Sequence, residues 1–142
     1  MLESIKPEIS LDQYFGIYAN HPDASAGKWS VADMMLEKVN ALLEYAVECG
    51  IELHENPQTK SLISGTENGG FRPNNSPVGA PLSDHKRGRA VDIADVGNYL
   101  YSWITDEILV RFHLYREAPT HTPNWCHLQD TPPKSGKRTF LP

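Results

Sequence analysis

The chain has 142 residues, 39% of them hydrophobic, and its 18 acidic against 13 basic side chains give a formal net charge of −5. That length suffices for one domain with a core of its own. The acidic balance offers no electrostatic footprint for nucleic acid or an anionic membrane, and no apolar run reaches the roughly 18 residues of a membrane span.

The opening stretch, MLESIKPEIS, carries an acid and a proline where a secretion signal needs basic residues and an apolar core. No export signal is therefore read, and the chain is expected in the cytoplasm as synthesised. Ser10 followed by Gln13 is a capping box, which opens a short helix over LDQYFGIYA. Ser30 with Asp33 repeats the device ahead of a longer helix. There Val31, Met34, Met35, Val39, Leu42, Leu43, Ala46 and Val47 recur at helical spacing, and Gly50 stands where a C-terminal stop belongs. This stripe is read as core packing. Cys49 and Cys126 lie far apart and outside any metal-type spacing. They are read as free thiols of a reducing compartment, with a disulfide as the alternative.

From residue 51 the pattern changes. SLIS (61–64) is a short strand candidate, and GTENGGFRPNNSPVGAP (65–81) is a long loop of the kind that is functional or disordered. A strand is expected at RAVDIAD (89–95), a helix around VGNYLYSWITDEILVRF (96–112), and strands at HLYREA (113–118) and WCHLQ (125–129). Helices first and short strands later predict an α+β domain, its N-terminal helices packed on a small antiparallel sheet. The whole chain, 1–142, reads as a single domain, with 1–58 mainly helical and 59–142 carrying the site.

Strand alternation decides which side chains share a face. In RAVDIAD it groups Ala90, Asp92 and Ala94 apart from Val91 and Ile93. In WCHLQ it groups Trp125, His127 and Gln129, and in HLYREA it groups His113, Tyr115 and Glu117. Paired in one sheet, these faces make one polar cleft. A His/Asp/His set made of His85, Asp92 and His127 suits zinc, with a fourth position left to water. Gly88 lets the chain turn between the first two.

The motif S-x-H-x-x-G-x-A-x-D (Ser83, His85, Gly88, Ala90, Asp92), followed by W-x-H (Trp125, His127), resembles the M15 zinc metallopeptidases. These are D-alanyl-D-alanine carboxypeptidases and dipeptidases, with the phage endolysins that share their fold. Ser64, Gly65, Phe71, Arg72 and Pro73 resemble that family's S-G-[FWY]-R-P segment, and the tail from TPNWCHLQ onward resembles phage-encoded members. The resemblance runs from about residue 60 to the last residue. It implies that His85, Asp92 and His127 hold Zn2+, that Arg72 binds substrate near the scissile bond, and that Ser83 donates to the substrate's terminal carboxylate. The expected substrate is a peptidoglycan stem peptide, cut at its D-Ala-D-Ala end or at a cross-link, by a monomer acting on the wall after phage release or from a virion.

Two departures accompany the resemblance. Asn124 stands where the family often carries an acid three residues before the last histidine ligand, and TENGG reads as an insertion between SG and FRP. Glu117, ten residues before His127, is then the expected general base, with His121 and Asp130 as weaker substitutes. A structural salt bridge is the bland reading of Glu117, and a surface loop residue that of Arg72. Trp125 either lines the cleft or covers the sheet, and Asp95 either orients a ligand or sits in an exposed turn. His113 is read as structural, and His21 and His54 as exposed. Lys86, Arg87 and Arg89 form a solvated basic face, or else one that attracts an anionic stem peptide. The alternative function is a zinc-containing but non-catalytic wall-binding or virion module of the same fold. A purely structural zinc site closed by His121 is the third reading.

Overall fold

The structure is a computed structural model describing residues 7–118 and 124–141. Helix α1 spans Leu11–Phe15, and its capping box forms as expected: Ser10 Oγ accepts from Gln13 N and Gln13 Oε1 accepts from Ser10 N, both at 3.1 Å. It is shorter than predicted, because a 3-10 turn over Gly16–Tyr18 follows it. Tyr14 and Phe15 are buried, and Phe15 stacks on Trp29 at 4.2 Å between ring centroids.

Helix α2 runs Ala26–Glu48, so Ser30 and Asp33 lie inside it rather than at its start. The N-cap is Ser25, whose side chain makes no capping hydrogen bond. Packing sets this start instead: Trp29 in the first turn lies on Phe15 and donates its Nε1–H to the Ala24 carbonyl. The buried face is Ala32, Met35, Leu36, Val39, Leu42, Leu43 and Ala46. Met34 and Val47, expected on it, are exposed; Ala32 and Leu36 hold those places in the stripe. The helix stops at Gly50, whose φ of 87° is the left-handed conformation anticipated there.

The sheet holds β1 (Ala90–Ala94), β2 (Tyr115–Glu117), β3 (Trp125–Gln129) and β4 (Thr139–Phe140), in the order β1-β3-β2-β4. β3 is antiparallel to both β1 and β2, but β4 runs parallel to β2, so the sheet is mixed rather than wholly antiparallel. Side chains fasten that unforeseen strand: Arg116 Nε donates to Thr139 Oγ1 at 2.9 Å, and Thr139 Oγ1 donates to Asp106 Oδ1 at 2.8 Å. The SLIS segment forms no strand; it contributes one bridge, Ile63 to Ile93, and covers the outer edge of β1 through Ala94 N to Leu62 O and Ser64 N to Asp92 O.

The helix expected over 96–112 is two, α3 (Tyr99–Trp103) and α4 (Asp106–Phe112). Ile104 is extended and Thr105 restarts the chain, its hydroxyl accepting from Ile108 N. One face of the sheet meets the helices through Val91, Ile93, Cys126 and Leu128, all fully buried with Leu109 and Leu114. The domain is thus α+β. Both cysteines are free thiols, Cys49 exposed and Cys126 buried, and burial pushes the Cys126 thiol pKa far up. No helix among the described residues is long and apolar enough to cross a membrane.

Candidate metal centre

Because β1 and β3 pair with Asp92 directly opposite His127, the two side chains meet on the face away from the core. His85 arrives from a 3-10 turn over Asp84–Arg87, opened by Ser83 Oγ accepting from His85 N and closed by Gly88 in the left-handed region at φ 76°. A side chain at Gly88 would also lie 3.2 Å from the Lys28 carbonyl of α2. The turn is therefore pressed against the helix, and glycine is needed twice over.

The hydrogen-bond partners fix both rings. His85 Nδ1 lies 2.8 Å from the Gly70 carbonyl, which can only accept, so that nitrogen carries the proton. His85 Nε2 is buried without a hydrogen-bond partner, 3.3 Å from Asp92 Oδ1. On the other side, Gln129 Nε2 donates to the Thr131 carbonyl at 2.7 Å. Its Oε1 is thereby turned to His127 Nε2, also at 2.7 Å, and that nitrogen carries the proton. His127 Nδ1 then faces Asp92 Oδ1 at 2.9 Å. Two imidazole nitrogens and a carboxylate oxygen converge, all within 4.8 Å of one another. Such a set repels itself unless a cation or a proton lies among its lone pairs, and this group could hold a metal ion.

The electrostatics follow. Burial alone would raise the Asp92 pKa, but His85 and His127 outweigh it and hold the carboxyl well below the usual range. Burial would lower His127, yet its hydrogen bond to Asp92 wins and the pKa rises. For His85 burial dominates the attraction of Asp92, and the pKa falls. The Asp92 oxygen thus favours a proton on His127 Nδ1, the nitrogen that faces it. A metal ion would take its place.

Arg72 is buried, not a surface loop residue. Its Nε donates to the Asn68 carbonyl at 2.8 Å, Nη1 to the Val78 carbonyl at 3.4 Å, and Nη2 to the second Asp92 oxygen at 3.4 Å. Neighbouring Phe71 is fully buried, and its N–H donates to the Tyr14 carbonyl at 3.1 Å. That anchor ties the 65–81 loop to α1 beside Arg72.

A cleft of about 770 Å³ opens over the group, lined by Arg72, Ser83, His85, Asp92, Glu117, Trp125 and His127 among others. Every expected site residue reaches it. Trp125 is partly exposed at its edge. Glu117 enters from β2, and its charge acts on both Arg72 and His127.

Other candidates stand elsewhere. Asn124, directly before β3, is tied to the turn after β1: its carbonyl accepts from Asp95 N and its Oδ1 from Gly97 N. Asp95 is neither a ligand orienter nor an exposed turn residue. It is buried and caps α3, accepting from Leu100 N and Tyr101 N at 2.9 Å. Asp130 is held by Arg89 at 2.9 Å and Lys38 at 3.2 Å. Of the basic cluster, Lys86 is buried with Nζ on the Pro81 carbonyl, whereas Arg87 stays exposed and pairs with Asp84. His113 ends α4 in the left-handed region. His21 and His54 are partly buried rather than exposed, beside Tyr18 and Tyr99. His121 lies outside the described residues.

The sequence reading placed Gln129 on the right face but gave it no role, and it missed the Gly70 carbonyl and the β4 wall. Only Gln129 left a signal, its position two residues after His127. Set against family models, curated proteins and solved structures, the chain matches none of them.

Proposed function

We propose that this chain is a zinc peptidase of the M15 type its motifs resemble, hydrolysing amide bonds of peptidoglycan stem peptides as a carboxypeptidase or endopeptidase. One observation carries the reading. His85 Nε2 and His127 Nδ1 are aimed with Asp92 at a single point on the floor of an open cleft, and each ring is held by a partner that is not itself a ligand. Two nitrogens, one carboxylate oxygen and an open side form the donor set of catalytic zinc. When bound, zinc supplies a Lewis acid and acidifies a water toward neutrality.

The chain's own groups do the rest. Glu117 accepts the water's proton and returns it to the leaving nitrogen. Arg72, always charged and steadied by Asp92, stabilises the negative charge that builds on the scissile carbonyl oxygen. The Ser83 oxygen accepts from His85 N, which leaves its own O–H to donate to a substrate carboxylate. Trp125 forms part of the wall. Asn124 is engaged in the β1–α3 turn, so the acid missing from its position is supplied by Glu117.

The test pairs wild type with Glu117→Gln, both zinc-loaded, on purified peptidoglycan, with fragments identified by mass spectrometry. Wild type is expected to release terminal D-Ala or split a cross-link, and the variant to lose about 10²–10⁴-fold in rate while metal analysis finds zinc retained. Wild type that holds zinc and sediments with cell wall, yet cuts nothing, would replace this reading with the non-catalytic module.

A further inference from the structure

The strand that carries Glu117 is short and unevenly held along its length. Its antiparallel ladder with β3 pairs Tyr115 with Gln129 and Arg116 with Leu128, and ends there. Glu117 falls one residue beyond. Its partner in the sheet is Phe140 of β4, and the backbone bonds on either side of it also go to β4. Arg116 N donates to the Arg138 carbonyl and Ala118 N to the Phe140 carbonyl, both at 2.8 Å. Among the described residues, the ladder therefore fixes the backbone of Glu117 from the β4 side alone.

β4 is in turn anchored away from the cleft. Thr139 Oγ1 lies between Arg116 Nε and Asp106 Oδ1. Arg138 donates Nη1 to the Leu114 carbonyl at 3.1 Å, with its guanidinium 4.2 Å from the centre of the Tyr115 ring. Two residues are fewer than a strand ordinarily needs, so these side chains hold it in place. Ladder partners point to the same face, and Glu117 and Phe140 both line the cleft. The Phe140 ring lies edge-on to His127 at 6.2 Å. A negative charge on Glu117 is drawn toward Arg72 and His127, on both of which it acts. A base must stay within reach of a water instead of collapsing onto either of them.

We infer that β4 is the positioning element of Glu117 and Phe140 its positioning residue. The strand fixes the backbone of Glu117, and the neighbouring ring limits where its carboxylate can swing. The inference rests on the peptidase reading for what Glu117 does, not for what holds it.

Two readouts test this. Amide exchange at Ala118, followed by NMR on the protein without metal, reports the hold itself. Thr139→Val and Phe140→Ala should each speed it about ten-fold, with the amides of β1 unchanged. Steady-state kinetics report the consequence, on zinc-loaded protein with cross-linked muropeptides and a stem pentapeptide ending in D-Ala-D-Ala. Phe140→Ala should lower kcat about 10- to 100-fold while KM and zinc affinity hold, and Phe140→Leu should restore most of the rate. In a Glu117→Gln background Phe140→Ala should cost nothing further, because the two act as one unit. If Thr139→Val lowers the melting temperature, the half-buried Phe140 decides by its two variants. Unchanged exchange at Ala118, an undiminished kcat, a loss that adds to that of Glu117→Gln, or a loss confined to zinc affinity overturns the inference. A wild type that cuts nothing removes the peptidase, while faster exchange in the variants keeps β4 as what holds Glu117. Cleavage that survives Phe140→Ala at full rate does the reverse.

Discussion

Gln129 decides which nitrogen of His127 faces the cleft. Its amide is oriented by the Thr131 carbonyl, which accepts from Nε2 and leaves only Oε1 for the imidazole. A leucine there keeps the volume and removes the constraint, so the ring is free to take the other tautomer. Gln129→Leu should weaken zinc binding about 10–100-fold, measured by competition with a chromogenic chelator. Gln129→Glu, which can still accept from Nε2–H, should restore most of it; equal losses in both variants would point to packing instead. At this scale the sequence was informative where alternation applied. Asp92 and His127 were assigned to one face because strands have a period of two. His85 sits on a turn, where no period applies, and only its residue type and the motif around it marked it out.

The turn bearing His85 depends on a second segment that no propensity marks. Gly70 gives its carbonyl to His85 Nδ1, and a side chain at this position would lie 2.1 Å from the Tyr14 carbonyl oxygen at the end of α1. Backbone cannot yield as a side chain can, so Gly70→Ala should cost about 3 kcal/mol, the upper end of overpacking. Zinc affinity should fall with it, because the carbonyl moves. Urea unfolding with and without zinc separates the two effects: a stability loss with unchanged zinc stabilisation would show that His85 keeps its place without this partner. Legibility at the level of elements follows the range of the forces. Ser10 and Gln13 cap each other locally, and that start was read correctly. The start of α2 is set by Trp29 on Phe15, a contact between elements, so the Ser30–Asp33 spacing misled. β4 has only two residues and no periodicity to detect; Arg116 and Asp106, distant in sequence, create it.

Across the whole molecule, the ligand group links stability, pH and metal. The depressed Asp92 pKa contributes stability that is present above the ordinary carboxylate value of 3.8 and lost as pH falls through the lower folded value. The raised His127 pKa contributes below 6.5 and is lost as pH rises through its folded value, whereas His85, kept neutral by burial, costs stability once pH drops below 6.5. If zinc is the ion held here, it competes with protonation of His127 opposite Asp92. Its affinity should therefore weaken as pH falls through the raised His127 value, with about one proton released per ion. Calorimetry in buffers of differing ionisation enthalpy counts that proton; a count of zero would mean the ring is already neutral. Class and site were legible at this scale because helices precede strands and the motif residues lie on β1, β3 and the turn between α2 and β1. The parallel strand and the Arg89–Asp130 pair were not, since both are set by partners far along the chain. The register of β3 has one more consequence. A slip by one residue would turn Cys126 and Leu128 toward the cleft and drive His127 and Gln129 into the apolar core. A misaligned molecule would have lost a ligand, so an immobilised metal would sort correctly threaded chains from faulty ones.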